Sequence, residues 1–324
     1  MAQLDRIKSP IKKELGQFEL YFRDSMKTHI PLLDIILNYL VRRKGKQMRP
    51  MFVFLSARLL GETTQSTYTA ASLIELLHNA TLIHDDVVDR SYKRRGYFSI
   101  NALWKSKISV LVGDYLLSKG LLLSVRNKEY DLLEIVSNAV KEMSEGELMQ
   151  IKNNRKIYIT EEDYFKVITK KTASLIASCT ACGARSVTND EQTIDTFRRF
   201  GEKIGIAFQI KDDLLDYERS GTIGKPAGND IKEKKVTLPL IYALNHSDRD
   251  EKKEIKKIFS RSGKNGKEVN KIIEFVRRKQ GLEYARSTME NLKNEAIQML
   301  DAYSGENAYD ALVELVKYTV ERNK

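Results

Sequence analysis

The sequence predicts an all-α protein, and three observations support that fold class. The 324 residues include five prolines, and the stretch between Pro50 and Pro226 contains none of this strongest helix breaker. Apolar residues recur at three- to four-residue spacing, as at Leu73, Ile74 and Leu77, which is the spacing of one helix face. We find no sustained two-residue alternation of the kind that indicates strands. A helical bundle therefore accounts for the whole chain.

The chain is predicted to form a single large domain over residues 1–324. Its hydrophobic content of 42% is enough to bury a substantial core, and no linker rich in glycine, serine or proline divides it. The segment 108–123 is apolar almost all round. We expect its helix to lie at the centre of a bundle or under a second subunit.

The charge balance narrows the classes of partner. Lysine and arginine number 55 against 44 aspartates and glutamates, which gives a net charge of +11. Because the basic residues are scattered, without an arginine-rich arm or a recognition-helix signature, nucleic-acid binding is not predicted. Peripheral membrane contact stays open, although no apolar run reaches the roughly 18 residues of a spanning helix. The amino-terminal segment lacks the apolar core of a signal peptide, so we predict a cytoplasmic protein.

The motif Asp-Asp-x-x-Asp occurs twice, at Asp85–Asp89 and at Asp212–Asp216. Positions i and i+4 share one face of a helix, so the first and last carboxylates of each motif point the same way. Magnesium favours such oxygen ligands and usually takes one or two carboxylates together with substrate phosphate oxygens. A solvated acidic face is the alternative for either copy. Because apolar sequence precedes both copies, we expect them at the ends of largely buried helices, where unpaired like charges are costly.

Several cations lie where they could hold a diphosphate. The turn Gly45–Pro50 carries Lys46 and Arg49, and Arg94 and Arg95 follow closely on the first acidic motif. Arginine offers a bidentate fork and lysine a mobile point charge, both suited to phosphoryl oxygens. Solvated surface cations, or arginines paired with the aspartates, are the alternatives.

Two polar residues share helix faces with the acidic motifs. His78 precedes Asp85 by seven residues and is predicted to look into the same cavity, whereas His84 turns away and is interpreted as structural. Gln209 lies three residues before Asp212, where an amide side chain is costly unless another group forms a hydrogen bond with it.

Four further basic or hydroxyl residues complete the candidate site. Lys171 and Thr172 open another apolar helix, and Lys225 and Lys235 flank a loop that begins at Gly224. That loop follows the second acidic motif closely enough to fold back over a bound anion. Cys179 and Cys182 form a lone Cys-x-x-Cys in a small-residue helix, and we interpret them as core cysteines without chemistry.

Together these motifs resemble the trans-isoprenyl diphosphate synthases, also called polyprenyl synthetases, over most of the chain. The resemblance is carried by seven segments: Gly45–Pro50, His84–Asp89 with Arg94–Gly96, Val112–Tyr115, Lys171–Thr172, Phe208–Asp216, Gly224–Gly228 and Thr237–Pro239. It implies an all-α bundle of the isoprenoid synthase type around a deep central cavity. It also implies a homodimer with the two acidic motifs facing each other at the mouth of that cavity.

The resemblance further implies a role for each matching residue. Three Mg²⁺ ions, for which Mn²⁺ could substitute, would be held by Asp85, Asp89, Asp212 and Asp216. Isopentenyl diphosphate would be bound by Lys46, Arg49, His78 and Arg95. An allylic diphosphate (dimethylallyl, geranyl or farnesyl) would be bound by Arg94, Lys171, Gln209, Lys225 and Lys235. Thr172 and Gln209 would also direct oxygen dipoles towards the developing carbocation.

The expected activity is Mg²⁺-dependent head-to-tail condensation to a medium- or long-chain polyprenyl diphosphate, as used for quinone side chains. Ala80 and Thr81 are small at positions where short-chain members tend to place a bulky aromatic residue, so a growing chain could pass them. A terpene cyclase, a head-to-head synthase and a non-catalytic subunit are the rival readings. Both acidic motifs are complete, and a cyclase would not need the cations assigned to isopentenyl diphosphate.

Overall fold

We analysed a computed structural model of the chain, in which residues 3–42, 45–94, 96–153, 159–218, 228–261 and 263–321 are described. These residues are overwhelmingly helical, which confirms the predicted all-α class. The exception among them is a hairpin of two-residue antiparallel strands, in which Lys93 pairs with Phe98 and Arg94 with Tyr97. The sequence pattern gave no sign of this hairpin because each strand is too short to alternate.

The backbone contacts divide the chain into two compact units. The first unit comprises Met1–Val140, Ser178–Arg198 and Tyr303–Glu314, and the second comprises Lys141–Ala177, Arg199–Ala302 and Leu315–Lys324. Each unit is described separately below. The expectation of a single domain over residues 1–324 is not tested by this division and stays a prediction.

The first half of the chain supplies most of the first unit. Its elements are α1 (Gln3–Lys8), α2 (Lys12–Ser25), α3 (Pro31–Arg42), α4 (Met48–Leu60), α5 (Gln65–Val88), β1 (Lys93–Arg94), β2 (Tyr97–Phe98) and α6 (Ile100–Arg126). A capping box between Thr64 and Thr67 starts α5.

Two glycines let α6 lie close against α5 in the first unit. A Cβ added at Gly120 would meet the Leu73 side chain at 3.2 Å, and one added at Gly113 would overlap the His84 ring. The ring of His84 therefore fits into the space that Gly113 leaves, and its Nε2 lies 3.3 Å from the carbonyl oxygen of Val110. This packing agrees with the structural role predicted for His84.

Helix α6 differs from expectation in two ways. By length and composition it could cross a membrane, contrary to the expectation that no apolar run is long enough, although a core helix of a soluble protein can meet the same criterion. It is also bent at Lys105, whose φ of 65° is non-helical. Only 33% of its most apolar window is buried, so one apolar face is left uncovered by this chain.

The remaining elements follow in chain order. They are α7 (Tyr130–Asn153), α8 (Glu161–Ile168), a π-helical turn (Thr169–Ala173), α9 (Ser174–Arg185), α10 (Glu191–Glu218), α11 (Asn229–Lys232), α12 (Leu238–Asn245), α13 (Arg249–Ser260), α14 (Gly266–Arg278), α15 (Gly281–Gln298) and α16 (Tyr309–Glu321). Two 3₁₀ turns, Ser9–Ile11 and Asp301–Tyr303, lie between helices.

The π-helical turn of the second unit is held between two helices. A Cβ added at Gly146 of α7 would lie 2.6 Å from the backbone nitrogen of Lys171, and one at Gly205 of α10 would lie 2.4 Å from the Cα of Ala173. Real Cβ atoms do not approach backbone so closely, so both glycines are needed for α7 and α10 to clamp this turn. Turns of this kind recur at functional sites.

Candidate active site

The first acidic motif lies at the carboxyl end of α5, as predicted. Asp85 and Asp86 are in the last turn, and Asp89 follows the helix with its N–H bonded to the carbonyl oxygen of Asp85 at 2.8 Å. Three carboxylates thus gather at the negative end of the helix dipole, where anions are destabilising. A bound cation would relieve both this unfavourable field and the mutual repulsion of the carboxylates.

The middle carboxylate of this motif is neutralised within the chain. Asp86 is buried, and Arg94 of β1 donates from Nε to its Oδ1 at 2.9 Å. The side-chain amide of Asn101 also donates to the backbone oxygen of Asp86. Asp85 and Asp89 are exposed and remain accessible to a ligand. Arg95, the second predicted arginine, lies outside the described residues.

The predicted isopentenyl diphosphate residues of the first unit lie on α5 and at the start of α4. Arg49 is held in the first turn of α4 by an ion pair from its Nε to Glu75 Oε1 at 2.7 Å. Lys46 is exposed just before that helix, and His78 is partly buried on α5, seven residues before Asp85. The ion pair fixes the guanidinium of Arg49 through Nε, and the fork of an arginine has further N–H donors that can bind a phosphate.

The second acidic motif occupies the last turns of α10, again at the negative end of a helix dipole. Asp212 is partly buried, whereas Asp216 is 7% exposed. The two carboxylate oxygens of Asp216 accept the backbone N–H groups of Asn229 and Asp230 at 3.1 and 3.0 Å. Asp216 therefore fixes the start of α11, a contact that its predicted metal role did not anticipate.

Asp213 stands at the centre of a buried hydrogen-bond chain. The Tyr164 hydroxyl donates to its Oδ2 at 2.7 Å, and the Gln209 amide donates to its Oδ1 at 2.9 Å. Thr172 in turn donates to Gln209 Oε1 at 2.8 Å. Burial raises the pKa of Asp213 to about 7, and the two hydrogen bonds only partly oppose that rise.

The cations of the second unit are paired with acidic or amide groups. Lys171 donates to Gln150 Oε1 at 2.6 Å and pairs with Glu147. Lys235 pairs with Glu233 at 2.7 Å and lies 3.7 Å from Asp230. Burial, followed by the nearby charge of Asp216, raises the pKa of Asp230. Lys225, predicted to hold the same diphosphate, lies outside the described residues.

These groups line one pocket of about 580 Å³ in the second unit. Its polar lining consists of Gln150, Asn153, Tyr164, Lys171, Thr172, Gln209, Asp212, Asp213, Asp216, Asn229, Asp230, Glu233, Lys235 and Thr237. The structure thus brings four of the predicted residues, Lys171, Thr172, Gln209 and Lys235, together with the second acidic motif. The first motif lies in the other unit, and the expectation that the two motifs face each other stays a prediction.

The donor set fits magnesium bound together with phosphate. Among the described residues, no group of three or more histidine, cysteine, aspartate or glutamate side chains could hold an ion unaided. Magnesium seldom uses such an all-protein cage and takes phosphate oxygens and water for the rest of its shell. The exposed pair Asp85 and Asp89, and Asp212 at the pocket, are hard oxygen ligands of the type that it prefers.

The two cysteines are buried and form no disulfide within the described part of the chain, which agrees with their interpretation as core residues. Burial raises the pKa of the Cys179 thiol to about 12, and burial likewise raises that of Cys182. The reactive thiolate is therefore scarce at neutral pH, which leaves neither residue suited to redox or metal chemistry.

Sequence reasoning missed several residues of the pocket. Tyr164, Gln150 and Asp230 are ordinary helix residues in the sequence, and nothing in their spacing marks them as polar partners. Asp213 belongs to the recognised motif, but its partner Tyr164 is 49 residues away in the chain. Among these three residues, only Asp230 had a sequence signal of another kind, because it is the last residue of the predicted anion-binding loop that begins at Gly224.

Comparisons with known proteins identify the family of this chain. The model of the polyprenyl synthetase family matches residues 30–276. The octaprenyl diphosphate synthase of Escherichia coli is 32% identical, with 99% of each chain covered. A solved decaprenyl diphosphate synthase from Rhodobacter capsulatus has a TM-score of 0.92 at 32% identity, covering 99% of each chain. A geranylgeranyl pyrophosphate synthase from Bacteroides thetaiotaomicron has a TM-score of 0.84 at 39% identity, covering 99% of this chain and 100% of its own.

Proposed function

This chain belongs to the polyprenyl synthetase family and is a prenyltransferase, and from that premise we propose the reaction that it performs. It condenses isopentenyl diphosphate head to tail with an allylic diphosphate and gives a medium- or long-chain polyprenyl diphosphate. The observation that carries this proposal is the pocket of the second unit. There, lysines, a threonine–glutamine pair and the second acidic motif line one space.

Ionisation of the allylic substrate is the first step. The bond between the allylic carbon and the diphosphate oxygen breaks, and the electron pair leaves with the diphosphate. Asp85, Asp89 and Asp212, with Asp216 near, would hold Mg²⁺, which would supply positive charge to neutralise that leaving group. Lys171, Lys235 and Lys225 contribute ammonium groups to the same end, and Arg94 contributes its guanidinium. Lys171 would exchange its bond to Glu147 for a phosphate oxygen.

The allylic cation left behind needs negative dipoles close to it but no nucleophile. Thr172 Oγ1 and Gln209 Oε1 are joined by a hydrogen bond at the pocket. Both oxygens carry lone pairs, and neither side chain carries a net charge. Fixed dipoles in a site that excludes water stabilise such a charge with little reorganisation.

Attack by the second substrate completes the reaction. Lys46, Arg49, His78 and Arg95 hold isopentenyl diphosphate through its phosphates, and the ion pair with Glu75 keeps Arg49 in place. The double bond of isopentenyl diphosphate forms the new carbon–carbon bond with the cation. Loss of a proton to the released diphosphate then restores a double bond, and holding both reactants together favours this route over hydrolysis.

The product is proposed to fall in the hexaprenyl to decaprenyl range. Thr81 is partly exposed on the helix face of Asp85, and its small side chain would let a growing chain pass. Ala80, the other small residue, is fully buried in a core cluster with Ile83, Val112 and Leu116. The similarity to a geranylgeranyl synthase makes a shorter product the second candidate.

One assay tests the proposal directly. The purified protein is incubated with magnesium, isopentenyl diphosphate and a geranyl or farnesyl primer, and products are identified by mass spectrometry. A ladder ending in one long polyprenyl diphosphate is expected, and Thr81→Phe should shorten it. A geranylgeranyl end point would favour the second candidate. Cyclised hydrocarbon from the primer alone, or no product, would contradict the proposal.

A homodimer is part of the proposal, supported by the uncovered apolar face of α6. Its exposed residues are Leu103, Val110, Leu111, Leu121, Leu122 and Val125. An apolar stripe of this length is unusual on a monomer and marks an interface. Light scattering of the wild type should give twice the chain mass, and Leu111→Glu with Leu122→Glu should give the monomer.

Peripheral membrane contact in the cytoplasm is the last part of the proposal. Helix α13 exposes Arg249, Lys253 and Lys257 at helical spacing on one face. Such a face attracts an anionic lipid surface, which would accept an apolar product. Flotation with phosphatidylserine vesicles at low salt should carry the wild type, and charge removal at these three positions should abolish flotation.

A further inference from the structure

Tyr164 is a buried residue of the pocket, and the proposed reaction gives its hydroxyl group no role. It is 5% exposed and its ring lies in the core of the second unit, where phenylalanine would fill the same space. Its hydroxyl instead donates to Asp213, itself 5% exposed, at 2.7 Å. A phenol buried beside a carboxylate is costly unless their hydrogen bond compensates.

Asp213 passes this constraint on to Gln209. One carboxylate oxygen accepts the Tyr164 hydroxyl and the other accepts the Gln209 amide at 2.9 Å. The amide nitrogen of Gln209 is thereby directed at Asp213, so its oxygen must point the other way, towards Thr172. An amide has one oxygen and one nitrogen, and this pair of bonds decides which of them faces the pocket.

The three bonds link separate elements of the second unit. Tyr164 lies on α8, Asp213 and Gln209 lie one turn apart on α10, and Thr172 lies in the π-helical turn clamped by Gly146 and Gly205. Gly146 and Gly205 limit how far Thr172 can move. The orientation of the Gln209 amide therefore depends on Tyr164, which lies at the other end of this series of hydrogen bonds.

We propose that Tyr164 is a positioning residue for catalysis: through Asp213 it holds the Gln209 amide with its oxygen, rather than its nitrogen, towards the reacting allylic carbon. This inference rests on the proposed function, in which Gln209 and Thr172 stabilise the allylic cation. A reversed amide would present N–H donors to a positive charge and would raise the barrier to ionisation.

The test is a double-mutant cycle on turnover with a farnesyl primer, using Tyr164→Phe, Gln209→Leu and the double variant. We expect Tyr164→Phe to lower kcat about tenfold while the KM for isopentenyl diphosphate changes by less than about twofold. Because Tyr164 acts through Gln209, the double variant should be no slower than Gln209→Leu alone.

Tyr217→Phe is the matched control. Tyr217 is fully buried in the same core. Its hydroxyl forms a hydrogen bond with Thr237 at 2.8 Å and does not belong to the series of hydrogen bonds from Tyr164 to Thr172. Any loss of rate from Tyr217→Phe should therefore multiply with that of Gln209→Leu, as independent effects do. Thermal unfolding of all variants separates loss of fold from loss of rate.

Each outcome decides the matter. If the wild type is active and the Tyr164→Phe and Gln209→Leu losses multiply, Tyr164 is only structural and the inference is overturned. If the wild type makes no polyprenyl diphosphate, the proposed function itself fails and this role falls with it. If Tyr164→Phe does not fold, Asp213→Asn takes its place, because an isosteric amide offers one acceptor oxygen to two donors. The same coupling with Gln209→Leu is then required.

Discussion

The two acidic motifs share the pattern Asp-Asp-x-x-Asp, but their carboxylates make different contacts. In the first, the middle carboxylate, Asp86, is buried against the charged guanidinium of Arg94. In the second, Asp213 is buried against two neutral donors, the hydroxyl of Tyr164 and the amide of Gln209. A cation beside a carboxylate compensates its charge, whereas the two neutral donors only partly oppose the effect of burial, which raises the pKa of Asp213 to about 7.

The last carboxylates differ as well. Asp89 is exposed beyond the end of α5, whereas Asp216 is buried and caps the backbone of α11. In the first motif the side chains of Asp85 and Asp89 are exposed. In the second motif Asp212 is the most exposed of the three, and Asp213 and Asp216 accept hydrogen bonds from within the chain. Corresponding carboxylates of two motifs with the same sequence pattern can therefore have different roles.

Removing the first carboxylate of either motif should have the largest effect. Asp85→Ala and Asp212→Ala are each expected to lower kcat at least about 10³-fold, because each removes a proposed ligand of the metal that would neutralise the leaving group. Chelation of magnesium should reproduce the loss in the wild type. The control is Asp24→Ala, which removes an exposed carboxylate paired with Lys27. Full activity in both motif variants would refute the account of metal binding.

Breaking the Arg94 pair should be the next most harmful change. Arg94→Met leaves Asp86 buried without its cation and should cost about 2 kcal/mol of unfolding free energy, measured by urea denaturation. Adding Asp86→Asn removes the unpaired charge and should restore at least half of that loss. If the second change restores nothing, Arg94 stabilises through packing and the contrast between the motifs is weaker.

Amidation of the last carboxylate should separate the two motifs in stability. Asp216→Asn places an amide nitrogen where an oxygen accepts a backbone N–H, so it should cost about 1–2 kcal/mol. Asp89→Asn should stay within about 0.5 kcal/mol, because its side chain is exposed. Equal costs in urea denaturation would mean that Asp216 does not cap α11 in solution.

The smallest effect is expected at the cysteines, which belong to neither motif. Burial raises the pKa of both thiols, so little thiolate forms at pH 8 and alkylation of the folded protein should be far slower than that of a free thiol. Mass spectrometry after iodoacetamide treatment measures this. Rapid modification of Cys179 without loss of fold would show that its helix opens readily.

Much of this architecture was predictable because it depends on local pattern. Apolar spacing gives the helices, and the acidic motifs fall at the ends of α5 and α10 as their flanking apolar residues indicate. Proximity in sequence also made an Arg94–aspartate pair foreseeable, since only eight residues separate Arg94 from Asp86.

The rest depends on packing between distant segments. No spacing rule connects Tyr164 with Asp213, and nothing in the sequence states that Gly146 and Gly205 close on one turn from opposite helices. The capping of α11 by Asp216 was hidden for another reason. The motif offered a metal role for that carboxylate, and its backbone partners lie 13 and 14 residues further along the chain.

The π-helical turn at Thr169–Ala173 has a consequence for how this chain can evolve. Such a turn holds one residue more than the α-helical turn it replaces, which rotates the following helix by about 100° relative to a continuous one. A lineage that lost a single residue between Tyr164 and Ser174 would gain a straighter helix. Its lysine and threonine, however, would turn away from the glutamine on α10. We therefore expect relatives that keep the fold but have lost the activity to carry deletions in this turn rather than substitutions.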